Sequence, residues 1–296
     1  MGRMPIRHFD PGISKQGAEQ DMDYKTVMVS LALDRPNDAC LAVAGDLAER
    51  LGARVIGIAA SDIRPPLYFT DGSTAQTLVD DEAAAIRRRL SELEAEFRAG
   101  VGKRAKALEW RSTQALPVPY VLQQARCADI LVVGARSETL VDPCATADPS
   151  ALLMQAGRPI IVVPPALEWL DFRSVVVAWK DVREARRAVF DALPILARAR
   201  DVTIAEIPEQ GAARADALLN VAEVASWLLG HGIIARTVVP DSAAGVTEQL
   251  DRIAADVGAG AVIAGAYGRS RFSEWILGGV TRQLVDPSNR CSLLSH

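Results

Sequence analysis

Four glycines near the carboxyl end of the sequence are spaced in a way that suits phosphate chemistry. After the apolar run Gly260–Ala264 the chain reads Gly265-Ala-Tyr-Gly268-Arg269-Ser-Arg271, and a little further on Gly278-Gly279-Val280-Thr281, a G-x2-G-x9-G pattern. A glycine just beyond a strand lets the main chain approach a ligand with no Cβ in the way. A helix starting at Gly279 would offer unpaired N–H groups and the positive end of its dipole, which favour a phosphate. Arg269 adds positive charge and Thr281 a hydroxyl donor. A second apolar run closes on Trp179-Lys180, so these two side chains fall at a strand tip, where a base could stack on the indole. The plainer reading of the same residues is that the glycines shape a turn and the tryptophan packs.

Other constellations carry less. Cysteines stand at 40, 127, 144 and 291 without a C-x-x-C pair, and His8, His231 and His296 lie far apart, so no structural metal is expected. Cys144 sits among carboxylates, which disfavour a thiolate. Asp34 and Asp38 could form an acid–base pair, but a helix cap and a first-turn charge describe them as well. Neither Ser137 nor Ser270 lies in a G-x-S-x-G elbow. The other tryptophans read as packing groups. A net charge of −4 lacks the basic excess of a nucleic-acid binder. No apolar run reaches the roughly 20 residues that span a bilayer. These features together predict a cytoplasmic protein with no membrane segment.

The elements that must position the glycines follow from an internal repeat. The first half opens with Tyr-Lys-Thr-Val-Met-Val-Ser-Leu (24–31), the second with Phe-Arg-Ser-Val-Val-Val-Ala-Trp (172–179). Each opening reads as a buried strand followed by a helical segment, 37–51 and 183–199. A second strand follows, 54–58 and 201–205. Later, Asp129–Gly134 matches Gly260–Gly265. The first half carries extra residues between these landmarks, placed in 61–104, where a charged helix is expected over about 75–99. Strict alternation of strand and helix predicts a parallel sheet of about five strands per half. With 296 residues, 49% of them hydrophobic and only 5% aromatic, two α/β cores can be built from Ala, Val, Leu and Ile. The division expected is a disordered tail over 1–22, a degenerate domain over 23–165 and a domain bearing the glycine loop over 166–296. In the first half the loop is gone. Gly134 is followed by Glu138, Asp142 and two prolines, which repel or exclude phosphate.

The stretch 265–284 resembles the signature of the universal stress protein family, and the resemblance runs from about Tyr24 to His296. It implies two tandem Rossmann-like domains of the adenine nucleotide alpha hydrolase-like type. It also implies ATP or another adenine nucleotide as ligand, held by the residues matching Gly265, Gly268, Arg269, Gly278, Gly279, Val280 and Thr281, with Trp179 and Lys180 on the base side. The final Cys-Ser-Leu-Leu-Ser-His looks like the family's pairing strand, implying an intramolecular pseudo-dimer or a homodimer. Two positions depart from the pattern. Gly279 stands where the family has Ser or Thr, and Lys180 where it has an acid, with Asp181 one residue late. The function implied is a stress-response protein acting through ligand-dependent contacts with a partner whose identity the sequence does not give. A ligand-free interaction scaffold is the alternative. A weak nucleotide hydrolase is a second, for which no general base or magnesium carboxylate is visible.

Overall fold

The structure is a computed structural model that describes residues 23–64, 72–136, 142–165, 167, 171–208, 214–241, 245–266, 284–285 and 289–296. The first half runs β1 (Thr26–Ser30), α1 (Asp38–Leu51), β2 (Arg54–Ser61), α2 (Gly72–Val101), β3 (Leu108–Gln114), α3 (Pro117–Gln124), β4 (Ile130–Gly134), α4 (Pro149–Gln155) and β5 (Ile160–Val163). The second runs β6 (Ser174–Trp179), α5 (Arg183–Asp191), α6 (Leu193–Leu196), β7 (Asp201–Glu206), α7 (Arg214–Gly230), β8 (Ala235–Val238), α8 (Val246–Asp256), β9 (Ala261–Gly265) and β10 (Cys291–Ser295).

The ten strands form one sheet in the order β3-β2-β1-β4-β5-β10-β9-β6-β7-β8. Within each half the order is the same, and every pairing is parallel. The strands nearest the middle are buried along their whole length, as strands covered on both faces must be. All four residues of β5 and all five of β10 are buried. One core packs the face covered by α1, α2, α5 and α7 and runs unbroken through both halves. A second packs the face of α3 and α8.

Where the halves meet, β5 and β10 pair antiparallel, with Leu293 opposite Ile161 and Leu294 opposite Ile160. This reverses the strand direction across the seam, so the carboxyl ends of the two parallel sets face opposite ways. Side chains tie the halves as well. The Tyr24 hydroxyl donates to the carbonyl of Asp191, and the Arg198 guanidinium to Asp23 at 2.8 Å.

Two helices differ from their expected spans, each for a local reason. The segment expected as one helix over 183–199 breaks at Ala192. Pro194 cannot continue the hydrogen-bond ladder and instead occupies the first turn of α6. Most of the extra residues of the first half lengthen α2, which has 30 residues against 17 in its counterpart α7. Ile86, Leu90, Leu93, Phe97 and Val101 recur on its inner face at helical spacing and are buried. The charged residues on its outer face pair, Arg89 with Glu96 at 2.6 Å and Arg98 with Glu94 at 2.7 Å.

Candidate functional site

Ligands of open parallel sheets bind beyond the carboxyl ends of two adjacent strands whose connections leave in opposite directions. In the second half those strands are β6 and β9. β6 leads to β7 on one side and β9 to β10 on the other. The last registered pair is Ala178 with Ala264, so Trp179 and Gly265 come next, at the mouth of the crevice. Lys180 follows on the exposed rim. Three of the residues singled out in the sequence, Trp179, Lys180 and Gly265, are therefore brought together. Gly268, Arg269, Gly278, Gly279, Val280 and Thr281 lie outside the described residues.

Gly265 has a packing duty in addition to any ligand. A Cβ built there would overlap the backbone nitrogen of Ala185 and the carbonyl carbon of Glu184. The bare Cα is what lets the first turn of α5 seat against the end of β9. That turn carries Glu184, only 3% exposed and paired with Arg183 at 3.0 Å. A carboxylate already sits at the amino end of α5, so this helix is a poor phosphate holder. An anion in the crevice would depend on the glycine loop instead.

The strand tips hold two polar atoms with no partner among the described residues. Trp179 is 9% exposed, and its indole N–H meets no acceptor there. Glu206 ends β7 as the register partner of Trp179. Its Oε1 accepts from the Asn220 amide of α7 at 3.3 Å, while its buried Oε2 has no donor. Burial pushes the Glu206 carboxyl above the usual carboxylate range. Asp181 pushes the same way, while the Asn220 bond and Lys180 oppose it. The sequence reading missed Glu206 and Asn220. The available signal was the carboxylate closing the run Val202–Ala205, at the same strand position as Trp179.

The corresponding crevice of the first half, beyond β1 and β4, is occupied by the chain itself. Residues 142–148 fold across it. The Leu33 amide donates to the Ala145 carbonyl at 3.1 Å, and the Asp62 amide to that of Cys144 at 2.9 Å. The Thr146 hydroxyl donates to Asp34 at 2.5 Å. Arg64 pairs with Asp142, and Arg35 donates to the Ala135 carbonyl at 2.9 Å. This corrects the cap reading of Asp34, which anchors the crossing segment and caps no helix. The turn before α1 is fixed by Asn37, whose side chain bonds both the N–H and the C=O of Ala32 at 2.9 Å. Asp38 does lie in the first turn of α1.

The four cysteines are all free. Burial raises the Cys40 thiol to about 12 and pushes Cys291 higher still. Cys144 is raised by burial first, then by Asp142 and Asp62. Cys127 moves the other way, because Arg111 hydrogen-bonds it and Arg126 adds charge, a setting the sequence reading did not find. Among the described residues no group of three His, Cys, Asp or Glu is placed to hold a metal ion. No described helix is long and apolar enough to cross a membrane. A cavity of about 300 Å³ opens between the halves, lined in part by Tyr24, Asp129, Arg158, Arg187 and Asp191. Its carboxylates are already engaged. Asp129 accepts from the amides of Lys25 and Thr26, and Asp191 from Arg187 and Ser295. The crevice beyond β6 and β9, with the Trp179 indole N–H at its mouth and Glu206 on the neighbouring strand β7, is the stronger candidate.

Comparison with solved structures fits this architecture. A universal stress protein from Archaeoglobus fulgidus aligns over 92% of this chain and 98% of its own, at 14% identity and a TM-score of 0.63. A protein of Pseudomonas aeruginosa described as a universal stress protein aligns over 94% of each chain, at 16% identity and a TM-score of 0.54. A universal stress protein solved in complex with cAMP aligns over 48% of this chain and 97% of its own, at 24% identity and a TM-score of 0.32. No family model and no curated protein matches the sequence. The chain has the fold of the universal stress proteins, with two Rossmann-like halves in one continuous sheet.

Proposed function

We propose that the chain is a stress-response protein of universal-stress type that takes one nucleotide, ATP or another adenine nucleotide, in its second domain, residues 166–296. The carrying observation is an asymmetry between two halves of identical strand order. The second keeps G-x2-G-x9-G after its switch-point strand β9. The first lacks it and has residues 142–148 bonded across the equivalent crevice. Phosphate would sit against the backbone of Gly268, Gly278, Gly279 and Val280, with Arg269 and Thr281 as side-chain donors, and the base beside Trp179. Lys180 at the rim adds charge of the sign a phosphate chain needs. Ligand binding shifts the population of states that contact a partner.

Isothermal titration with ATP and AMP tests the reading. One site per chain is expected, together with a thermal stabilisation of about 2.7 kcal/mol at a hundredfold excess over Kd. Gly268→Val should abolish both effects while leaving the unliganded melting temperature within a degree or two. Two sites per chain, or binding indifferent to Gly268→Val, would falsify it.

A ligand-free scaffold is the second reading. It is favoured by apolar side chains turned to solvent on and after α7, Leu219 at 65%, Leu229 at 60% and Ile234 at 80% exposure. A scaffold would keep its partner contacts in the Gly268→Val variant, whereas a nucleotide sensor would lose their ligand dependence.

A further inference from the structure

We infer that Glu206 and Trp179 together read the base, and that they select one carrying an exocyclic amine next to a ring nitrogen acceptor. The inference rests on the nucleotide reading above and names which base edge the same crevice takes.

Buried polar atoms are almost always hydrogen-bonded, because an orphaned one forfeits its water without replacement. Here a donor and an acceptor are orphaned side by side. Among the described residues the Trp179 indole N–H and the Glu206 Oε2 both lack a partner. They close adjacent parallel strands as register partners, so they share one face of the sheet at a spacing of about 4.8 Å between backbones. An indole can only donate, and an ionised carboxylate can only accept. The ligand that satisfies both must bring an acceptor to Trp179 and an N–H to Glu206, which is what the amine and ring nitrogen of an aminopurine present. Asn220 holds the other carboxylate oxygen at 3.3 Å, which fixes the carboxyl and leaves Oε2 for the guest. The first half has no such pair. Leu31 and Ala59 stand at the matching strand tips, and both are buried in the core.

Lys180 and Asp181 both act electrostatically on Glu206, which places that carboxylate close to the exposed rim beyond β6.

The test compares AMP with purine riboside 5′-monophosphate, which keeps ring, ribose and phosphate but lacks the amine. Titrations use the full wild-type chain, Glu206→Leu and Trp179→Phe, with melting curves as folding controls. The wild type should bind AMP at least about tenfold more tightly, the equivalent of one hydrogen bond to a charged group. Each variant should compress that ratio to within about threefold. Equal wild-type affinities, or a ratio unchanged in folded variants, would overturn the base-reading role and leave nucleotide binding standing. If the wild type binds neither compound, both the nucleotide reading and this inference fall. Equal wild-type affinities overturn the role even if a variant does not fold.

Discussion

Gly134 and Gly265 occupy the same place at the ends of β4 and β9, yet their surroundings differ. A Cβ at Gly265 meets the backbone of Glu184 and Ala185, which no rotamer change can clear. At Gly134 the nearest atom is the Cys40 sulfur at 3.7 Å, an ordinary contact. Gly265→Ala should cost about 1–3 kcal/mol of stability by overpacking, and Gly134→Ala less than about 0.5 kcal/mol. Denaturant titrations of the two variants check this, and equal effects would contradict it. Glu206 supports a second expectation at this scale. Its raised folded pKa means that the unfolded chain gives up this proton more readily. The group's contribution is therefore whole below about pH 4.3, the unfolded value, and is lost as pH rises through the folded one. Glu206→Gln removes that loss. The melting temperature of the variant relative to wild type should rise between pH 4 and pH 7, and a difference that stays constant over that range counts against the assignment. Neither residue's role was visible in the sequence. Gly265 reads there as a ligand contact because the helix it admits begins some eighty residues earlier. Glu206 reads as the end of a strand because its pairing with Trp179 exists only in register.

The elements themselves were largely written into local pattern. Runs such as Ile130–Val133 and Val175–Val177 announce buried strands by composition alone. The mismatch between repeat landmarks places the long insert of the first half in 61–104, and most of it lengthens α2. Pattern failed where distant segments had to find each other. Asp34 and Thr146 are 112 positions apart and meet only when residues 142–148 cross the first-half crevice. Local signals at Asp34 pointed to a helix cap, whereas tertiary bonding to Thr146 prevailed. The break at Ala192 had a signal in Pro194, which cannot continue a helix ladder, but the helical period across 183–199 outweighed it in the reading. The glycine loop, clearest of all in the sequence, lies almost entirely outside the described residues.

At the scale of the molecule, two parallel sets of strands become one sheet only through the antiparallel pairing of β5 with β10. The shared core on the α1/α5 side couples the halves energetically. Leu293, 1% exposed between Ile161 and Ile263, stands at the middle of that seam. Leu293→Asp would bury an unpaired carboxylate and should cost about 3 kcal/mol or more, lowering a single cooperative melting transition. Leu219→Asp, on the exposed side of α7, should stay within about 0.5 kcal/mol. A transition that splits in two, with one part unmoved, would show that the halves melt independently.

The seam also has a consequence for biosynthesis. Strand β5, the run Ile-Ile-Val-Val, emerges from the ribosome long before the strand that will cover it. At about 5–20 residues per second, its free apolar edge waits on the order of ten seconds for β10 to be made. During that interval the nascent first half presents an uncapped template for pairing with a neighbouring chain.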